Sequence, residues 1–437
     1  MMTADTKTIF ALSSGSLPSG VAVVRISGPL CFEGLRELGL TDLKPRELHL
    51  RNLVAPGTSE LIDKGLVCIF PGPASFTGED CAELHIHGGR AVVSTLLSCL
   101  SGISGFVMAD RGEFSRRAFE NGKLDLTEIE GLGDIIYADT EAQRRQALKQ
   151  STGEFRKKLE LWRKLIIRCR AYLEAEFDFN DEEDVPDSMI DVVVSDCVLL
   201  TKEIHGFLND GRKGEIIRDG FVVVLAGSPN SGKSSLMNAL AGRDVAIVSD
   251  EAGTTRDVLE VDIDIDGYLV RVVDTAGIRE AESKVEAEGI RRTKIHFQAA
   301  DLAVWLSACD NPQSAPAGYE SATVVTSKSD LLDVDIPGLC LNTVSEDGLD
   351  EFYDFIRDSL NSLNSANDGV LITRERHRFE LNRCATSLER AVSLLSGNAV
   401  LASEELRIAG ECIGRLTGFI DVEDLLDIIF ADFCIGK

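Results

Sequence analysis

The run Gly227-Ser228-Pro229-Asn230-Ser231-Gly232-Lys233-Ser234 fits the spacing GxxxxGK[ST]. In such a loop the glycines let successive backbone N–H groups curl around phosphate oxygens, and the helix start that follows adds positive potential. Both flanks agree. Phe221 to Ala226 is a continuous apolar run, as in a strand buried on both faces. Ser235-Leu236-Met237-Asn238-Ala239-Leu240 reads as the helix. Lys233 is expected to neutralise the β and γ oxygens, and Ser234 to ligate Mg²⁺.

Asp274-Thr275-Ala276-Gly277 ends a later strand. A carboxylate there holds the Mg²⁺ shell, and Gly277 lets its N–H approach the γ-phosphate. Gly253-Thr254-Thr255-Arg256-Asp257 lies between the loop helix and that strand, which makes Thr255 the second Mg²⁺ ligand. These three segments in this order specify a GTPase. The base-reading segment is Thr326-Ser327-Lys328-Ser329-Asp330. Asp330 can accept from the N1–H and amino group of guanine, which adenine does not offer. Ser327 occupies the place of Asn in the usual NKxD pattern, and Asn342-Thr343-Val344 stands where SAK is usual. Ile278 follows the DxxG motif, where many small GTPases orient water with Gln. Another group must do so here, and Glu280, Glu282 and Glu286 are all candidates by spacing. Asn230 can either ligate a monovalent cation beside the β–γ bridge or cap its own loop.

These residues must be carried by several domains, because 437 residues exceed one ordinary core. Apolar residues make up 44% and charged residues 27%, a globular balance, and no run is long enough to span a membrane. Met1 to Ser14 does not read as a secretory signal. Eleven cysteines without CxxC or ligand spacing read as reduced thiols in a cytoplasmic protein. A net charge of −27 excludes a basic nucleic-acid coat protein. Against that background Glu141 to Arg170 carries ten Lys/Arg and three Glu, a patch that either holds RNA or is a solvated helix face.

Three textures follow one another. Short β-rich runs with Gly/Pro turns (Gly20 to Ile26, Leu66 to Phe70) give an α+β domain over 1–121. Residues 122–216 are helical, with Leu159, Trp162, Leu165, Ile166 and Cys169 on one stripe. Residues 217–370 form an α/β P-loop domain with a hairpin around Asp266-Gly267 and further buried strands at Leu302 to Leu306 and Ala322 to Thr326. Residues 371–437 are helical again, Val422, Leu425, Leu426, Ile429, Phe430 and Phe433 sharing a face. Helices on both sides of an α/β unit make that unit an insertion in an all-α domain. His85-Ile86-His87, two His on one face without a third ligand, reads as structural.

With the loop, Ala252-Gly253-Thr254-Thr255-Arg256-Asp257 and Asp274-Thr275-Ala276-Gly277-Ile278-Arg279, the chain resembles the bacterial MnmE/TrmE tRNA-modification GTPase family. Ser75-Phe76-Thr77-Gly78-Glu79-Asp80, Gly112-Glu113-Phe114, the run Arg117 to Leu126 and the tail Phe433-Cys434-Ile435-Gly436-Lys437 extend the resemblance over nearly the whole chain. It implies an N-terminal domain that dimerises and binds a 5-formyl- or 5,10-methylene-tetrahydrofolate near Arg25, Glu83, Lys123 and Lys437. It implies GTP contacts from Asn230, Ser231, Gly232, Lys233, Ser234 and Ser235. Further contacts would come from Ser249, Asp250, Glu251, Ala252, Gly253, Thr254 and Thr255, and from Asp274, Thr275, Ala276 and Gly277. The base would meet Ser327, Lys328, Asp330, Asn342, Thr343 and Val344. The same resemblance implies K⁺ on Asn230, Ser249, Glu251 and Thr254, and picks Glu286 to act on the attacking water. Cys434 is either a nucleophile on the pyrimidine or one-carbon intermediate or an apolar plug.

The activity implied is K⁺-stimulated GTP hydrolysis on G-domain dimerisation. It serves aminomethyl-type modification at carbon 5 of the tRNA wobble uridine, with an FAD-dependent GidA/MnmG-like subunit in a heterotetramer. Two other readings are a ribosome- or RNA-assembly switch GTPase without modification chemistry, and a scaffold without turnover.

Overall fold

The computed structural model describes residues 7–437 except 59, 179–188, 210–211, 244, 248–259, 275–296, 298–299, 317, 332–337, 344, 346, 363–371, 396, 421–425, 427–428, 431–432, 434–435 and 437. Two compact units emerge: residues 1–133 with 414–437, and residues 134–413. The architecture is an α+β N-terminal domain, an all-α domain, and an α/β P-loop domain set between its helices.

In the first unit, β1 (Thr8–Leu12), β2 (Ser19–Ser27), β3 (His49–Val54), β4 (Leu61–Phe70), β5 (Cys81–Gly88) and β6 (Phe106–Met108) form one sheet in the order β3-β4-β5-β2-β1-β6. All pairings are antiparallel except β1 with β6. Helices α1 (Cys31–Glu37) and α2 (Arg90–Ser101) supply Leu35, Val93, Leu96 and Leu100 to the buried face. Helices α3 (Glu113–Glu120) and α4 (Leu126–Ile136) follow. Ile129 of α4 packs with Phe430 and Phe433 of the C-terminal segment. Those two aromatics are buried, as their shared stripe requires; Val422 and Leu425 lie outside the described residues.

The second unit begins with α5 (Glu141–Ser151), α6 (Glu154–Asp178), α7 (Met189–Leu208) and α8 (Lys213–Asp219). The stripe on α6 is buried at Leu159, Trp162, Ile166 and Cys169, while Leu165 lies at its edge. Trp162 donates its indole N–H to Glu203 at 2.9 Å and meets Phe207 edge-on. The ten described cysteines are all free thiols.

Strands β7 (Phe221–Gly227), β8 (Glu260–Ile265), β9 (Tyr268–Asp274), β10 (Leu302–Ala308), β11 (Thr323–Ser327) and β12 (Cys340–Leu341) form the second sheet, ordered β12-β11-β10-β7-β9-β8. It is parallel except for the β8–β9 hairpin, whose turn residues Asp266 and Gly267 have φ of 53° and 85°. Positive φ at both positions matches the right-handed strand twist, and Asp-Gly is suited to it. Helices α9 (Lys233–Ala241) and α10 (Leu349–Ser362) pack Leu236, Leu240, Phe352 and Ile356 against the sheet. One expectation needs correcting. The run at Ala322 to Thr326 is not buried throughout: β11 hides Val325 and Ser327, but Val324 is 50% exposed. β11 lies one strand in from the sheet edge at β12, and helices packed on a sheet cover its middle before its rim.

Helices α11 (Glu375–Leu394) and α12 (Ala399–Thr417) complete the all-α domain. Polar ties hold α8, the helix that leads into the α/β insertion, and the tip of the β8–β9 hairpin to it. Glu215 of α8 accepts from Arg212 at 2.7 Å and from Arg378 of α11 at 3.0 Å. Asp134 accepts from Arg218 and Arg374. The α5 N-terminus donates from Ala142 N–H to the Gly267 carbonyl at the hairpin tip, 3.0 Å away. Burial alone would push the Glu215 carboxyl up, but the two guanidinium hydrogen bonds outweigh it and hold the group below its ordinary value. Its contribution to stability is therefore present above an unfolded value near ~4.3 and is lost as pH falls through the lower folded value. In urea unfolding, Glu215→Gln should cost about 2–3 kcal/mol at pH 7, and the gap to the parent should close as pH drops below about 4.

Candidate functional site

The phosphate cradle is built by close backbone approach. A Cβ on Gly227 would fall 2.5 Å from the Leu306 carbonyl oxygen and 2.7 Å from Ser231 Oγ, so β7 can turn into the loop beside β10 only as glycine. Gly232 (φ 90°) and Asn230 (φ 62°) adopt left-handed backbone, the second without glycine's freedom. Lys233 is buried and donates to the carbonyls of Gly227 and Ser228 at 3.1 and 3.0 Å. The ammonium thus faces the concavity of its own loop, where phosphate oxygens would compete for it. Ser234 and Asn230 are exposed at the mouth. Asp274 ends β9 directly opposite Leu225 of β7 and is buried, the placement a Mg²⁺-shell carboxylate needs. A hydroxyl and a carboxylate are hard oxygen donors and suit that ion.

The base loop follows β11. Ser327 is buried and its hydroxyl donates to the Ser231 carbonyl at 2.6 Å, tying the base loop to the phosphate loop. Lys328 is left-handed (φ 58°), and its ammonium meets Asp310 at 3.2 Å. Its carbonyl accepts from the Cys309 thiol. Asp330 is exposed. Asn342 is buried and its side-chain oxygen accepts from Ser345 N–H, with Thr343 beside it. Ser249, Asp250, Glu251, Ala252, Gly253, Thr254, Thr255, Thr275, Ala276, Gly277, Glu286 and Val344 lie outside the described residues, as do Cys434 and Lys437.

In the first unit Arg25 and Glu83 come together, 2.9 Å apart on the paired strands β2 and β5. The Arg25 guanidinium also lies over the rings of Phe76 and Phe114, 5.2 and 5.8 Å from their centroids. Lys123 does not join this pair; it donates to the Pro73 carbonyl at 2.7 Å, on the loop that carries Phe76. That loop is anchored by Glu79, which accepts from Ser27 at 2.6 Å and from Arg117 at 3.2 Å, while Arg117 also reaches Glu113. Gly436 brings the tail here: its carbonyl accepts from Ser13 Oγ at 2.7 Å, next to the end of β1. The two histidines are paired structurally, His85 with Glu83 and His87 with Asp63.

A family model described as the MnmE helical domain matches residues 126–434, and one for the GTP-binding protein TrmE N-terminus matches residues 8–123. The chain is similar to the tRNA modification GTPase MnmE of Rhizobium etli (strain CIAT 652), 50% identical over 435 residues, covering 98% of this chain and 99% of that protein. It is also 47% identical over 443 residues to the tRNA modification GTPase MnmE of Parvibaculum lavamentivorans, covering 99% and 100%. The chain belongs to the MnmE family.

Cys309 and Asp310 contact Lys328, which sequence spacing did not reveal, because these contacts depend on β10 and β11 ending side by side. In the N-terminal domain, Phe76, Phe114 and the Glu79–Arg117–Glu113 network were present in the motifs, but nothing in the spacing assigned them contacts. The basic stretch of α5 and α6 is largely compensated within the unit. Arg144 and Arg145 share Glu141, and Arg156, Lys158, Arg168 and Arg170 pair with Glu160, Glu203, Asp196 and Glu174. The tail offers a direct check. A side chain at 436 would overlap the Leu12 carbonyl at a φ of 99°. Gly436→Ala should therefore carry about 1–3 kcal/mol of strain and release the tail, so that carboxypeptidase trims the variant about tenfold faster than the parent.

Proposed function

We propose that this chain couples K⁺-stimulated GTP hydrolysis to modification of carbon 5 of the wobble uridine in tRNA, using a tetrahydrofolate one-carbon unit. As an MnmE family member it is a tRNA modification GTPase; the cation, the folate and the partner chemistry are what we propose. The observation that carries the reading is the glycine-lined loop with the buried Lys233 facing inward, linked through Ser327 to the base loop.

In this reading Lys233 moves from its loop carbonyls to the β and γ oxygens, and Ser234 and Thr255 hold Mg²⁺. Ser235 and the backbone from Asn230 to Gly232 line the phosphates, while Asp274 to Gly277 face the terminal one. Asp330 accepts from guanine, with Lys328, Asn342, Thr343 and Val344 beside the base. Asn230 is exposed at the loop mouth, and a carboxamide oxygen there suits a monovalent cation shared with Ser249, Glu251 and Thr254. Bound K⁺ would supply positive charge at the bridging oxygen. Glu286 orients the water.

Arg25 and Glu83 suit a pterin and its carboxylates: one donates a planar fork, the other accepts, and Phe76 and Phe114 flank them. Lys123 and Lys437 would add cations for the folate carboxylates, and Cys434 would be either a nucleophile on the pyrimidine or one-carbon intermediate or an apolar plug. The same sheet favours a homodimer. Leu50 pairs with Leu66 in register, and both are exposed, as are Leu48 and Val21. A GidA/MnmG-like subunit would bring FAD, so this chain needs no flavin site. We place the protein in the cytoplasm; no helix among the described residues is long and apolar enough to cross a membrane. We divide the chain at 1–121, 122–216, 217–370 and 371–437.

Two measurements test the reading. Nucleoside mass spectrometry of tRNA from cells lacking the chain should show loss of aminomethyl-type wobble uridines; unchanged nucleosides would favour a switch GTPase in RNA assembly. Turnover of GTP should be at least about tenfold faster in KCl than in NaCl; no turnover in either salt would leave a scaffold.

A further inference from the structure

We propose that Ser327 leaves N7 of the bound guanine unread and acts instead as a positioning residue for the phosphate loop. The chain then recognises its nucleotide through the Watson–Crick edge alone. This rests on the assignment of the Ser327–Asp330 loop to the base.

A serine hydroxyl has one hydrogen to donate, whereas a carboxamide has two. The Ser327 hydroxyl spends its hydrogen on the Ser231 carbonyl, 2.6 Å away and out of solvent. What remains on the oxygen is acceptor capacity. Guanine's N7 and O6 are themselves acceptors, so Ser327 has nothing to offer them. With the N1–H and amino group on Asp330, three residues further along the same loop, the N7 edge of the base turns toward Ser327 and the phosphate loop. An Asn at this position would satisfy the Ser231 carbonyl with one N–H and still hold a second for N7.

The groups flanking the Ser327 hydroxyl are themselves engaged. Ser327 N–H and C=O lie in the β10–β11 ladder region, the carbonyl accepting from Cys309 N–H at 3.0 Å. The Lys328 ammonium is drawn to Asp310, and its carbonyl is held by the Cys309 thiol. The serine therefore serves a different end from a base contact. It fixes the Ser231 peptide, two residues before Lys233, at the height the phosphate cradle needs.

The test compares GTP with 7-deaza-GTP, in which a C–H replaces N7 and the Watson–Crick edge is unchanged. Affinities are read on the full chain by displacement of a fluorescent GDP analogue. The parent should bind the two nucleotides within about twofold, less than the value of one neutral hydrogen bond. Ser327→Asn should acquire a preference for GTP of about fivefold, its second N–H reaching N7. Ser327→Thr should behave like the parent. Ser327→Ala should weaken both nucleotides equally, through the loosened Ser231 peptide. A parent that prefers GTP by about fivefold or more would overturn the proposal, as would an unchanged ratio in Ser327→Asn, or a loss confined to GTP in Ser327→Ala. Failure of the underlying loop assignment reads differently: Asp330→Asn would then keep the parent's preference for GTP over xanthosine triphosphate instead of reversing it.

Discussion

The tight turn at Gly227 is the constraint on which the rest of the second unit depends. Strand β7 must pass close enough to β10 for the following peptides to curl inward, and no side chain fits there. Once the loop is curled, its carbonyls and N–H groups surround a small concavity, and Lys233 is the one long cation on the helix that starts at its rim. The ammonium occupies that concavity by bonding backbone carbonyls. A buried ammonium that donates to neutral carbonyl oxygens gains strongly from a phosphate anion. Loop shape, not the lysine alone, makes the exchange favourable.

The same loop organises its neighbours. Ser327 fixes the Ser231 carbonyl, so the end of β11, where we propose the base is read, and the phosphate loop move together. On the other side, β8 and β9 run from the segment containing Thr255 to Asp274, and the tip of that hairpin accepts a hydrogen bond from the α5 N-terminus. Arg357 of α10 pairs with Asp266 at the same tip. A shift of the hairpin must carry these bonds or break them. The all-α domain therefore has a direct mechanical tie to the strand that ends in the candidate Mg²⁺-shell carboxylate.

Much of this was legible in the residues. Phe221 to Gly232 specified strand, turn and helix start through unmixed apolarity followed by glycine spacing, and Asp266-Gly267 specified the hairpin through its positive-φ preference. The stripe from Leu159 to Cys169 located the α6 core. What was not legible depended on strands distant in sequence. Val324 reads as buried by composition, yet it lies near the rim of the sheet, one strand in from the edge, and is exposed. Arg25 between Phe76 and Phe114, and Cys309 beneath Lys328, are contacts made by sheet order, which no local pattern encodes. The pairing of most α5 and α6 cations with nearby acids lies between these cases. The i,i+4 partners were visible in sequence, whereas Lys158 with Glu203 and Arg168 with Asp196 needed α6 against α7.

The central claim is that phosphate capture by the Gly227 to Ser234 loop drives the chemistry on tRNA. The most direct measurement is the level of modified wobble uridine in cells whose only copy of this chain carries Lys233→Ala, expressed at the parent's abundance. The account predicts that modification falls to the level of cells without the chain. Full restoration by that variant would contradict it.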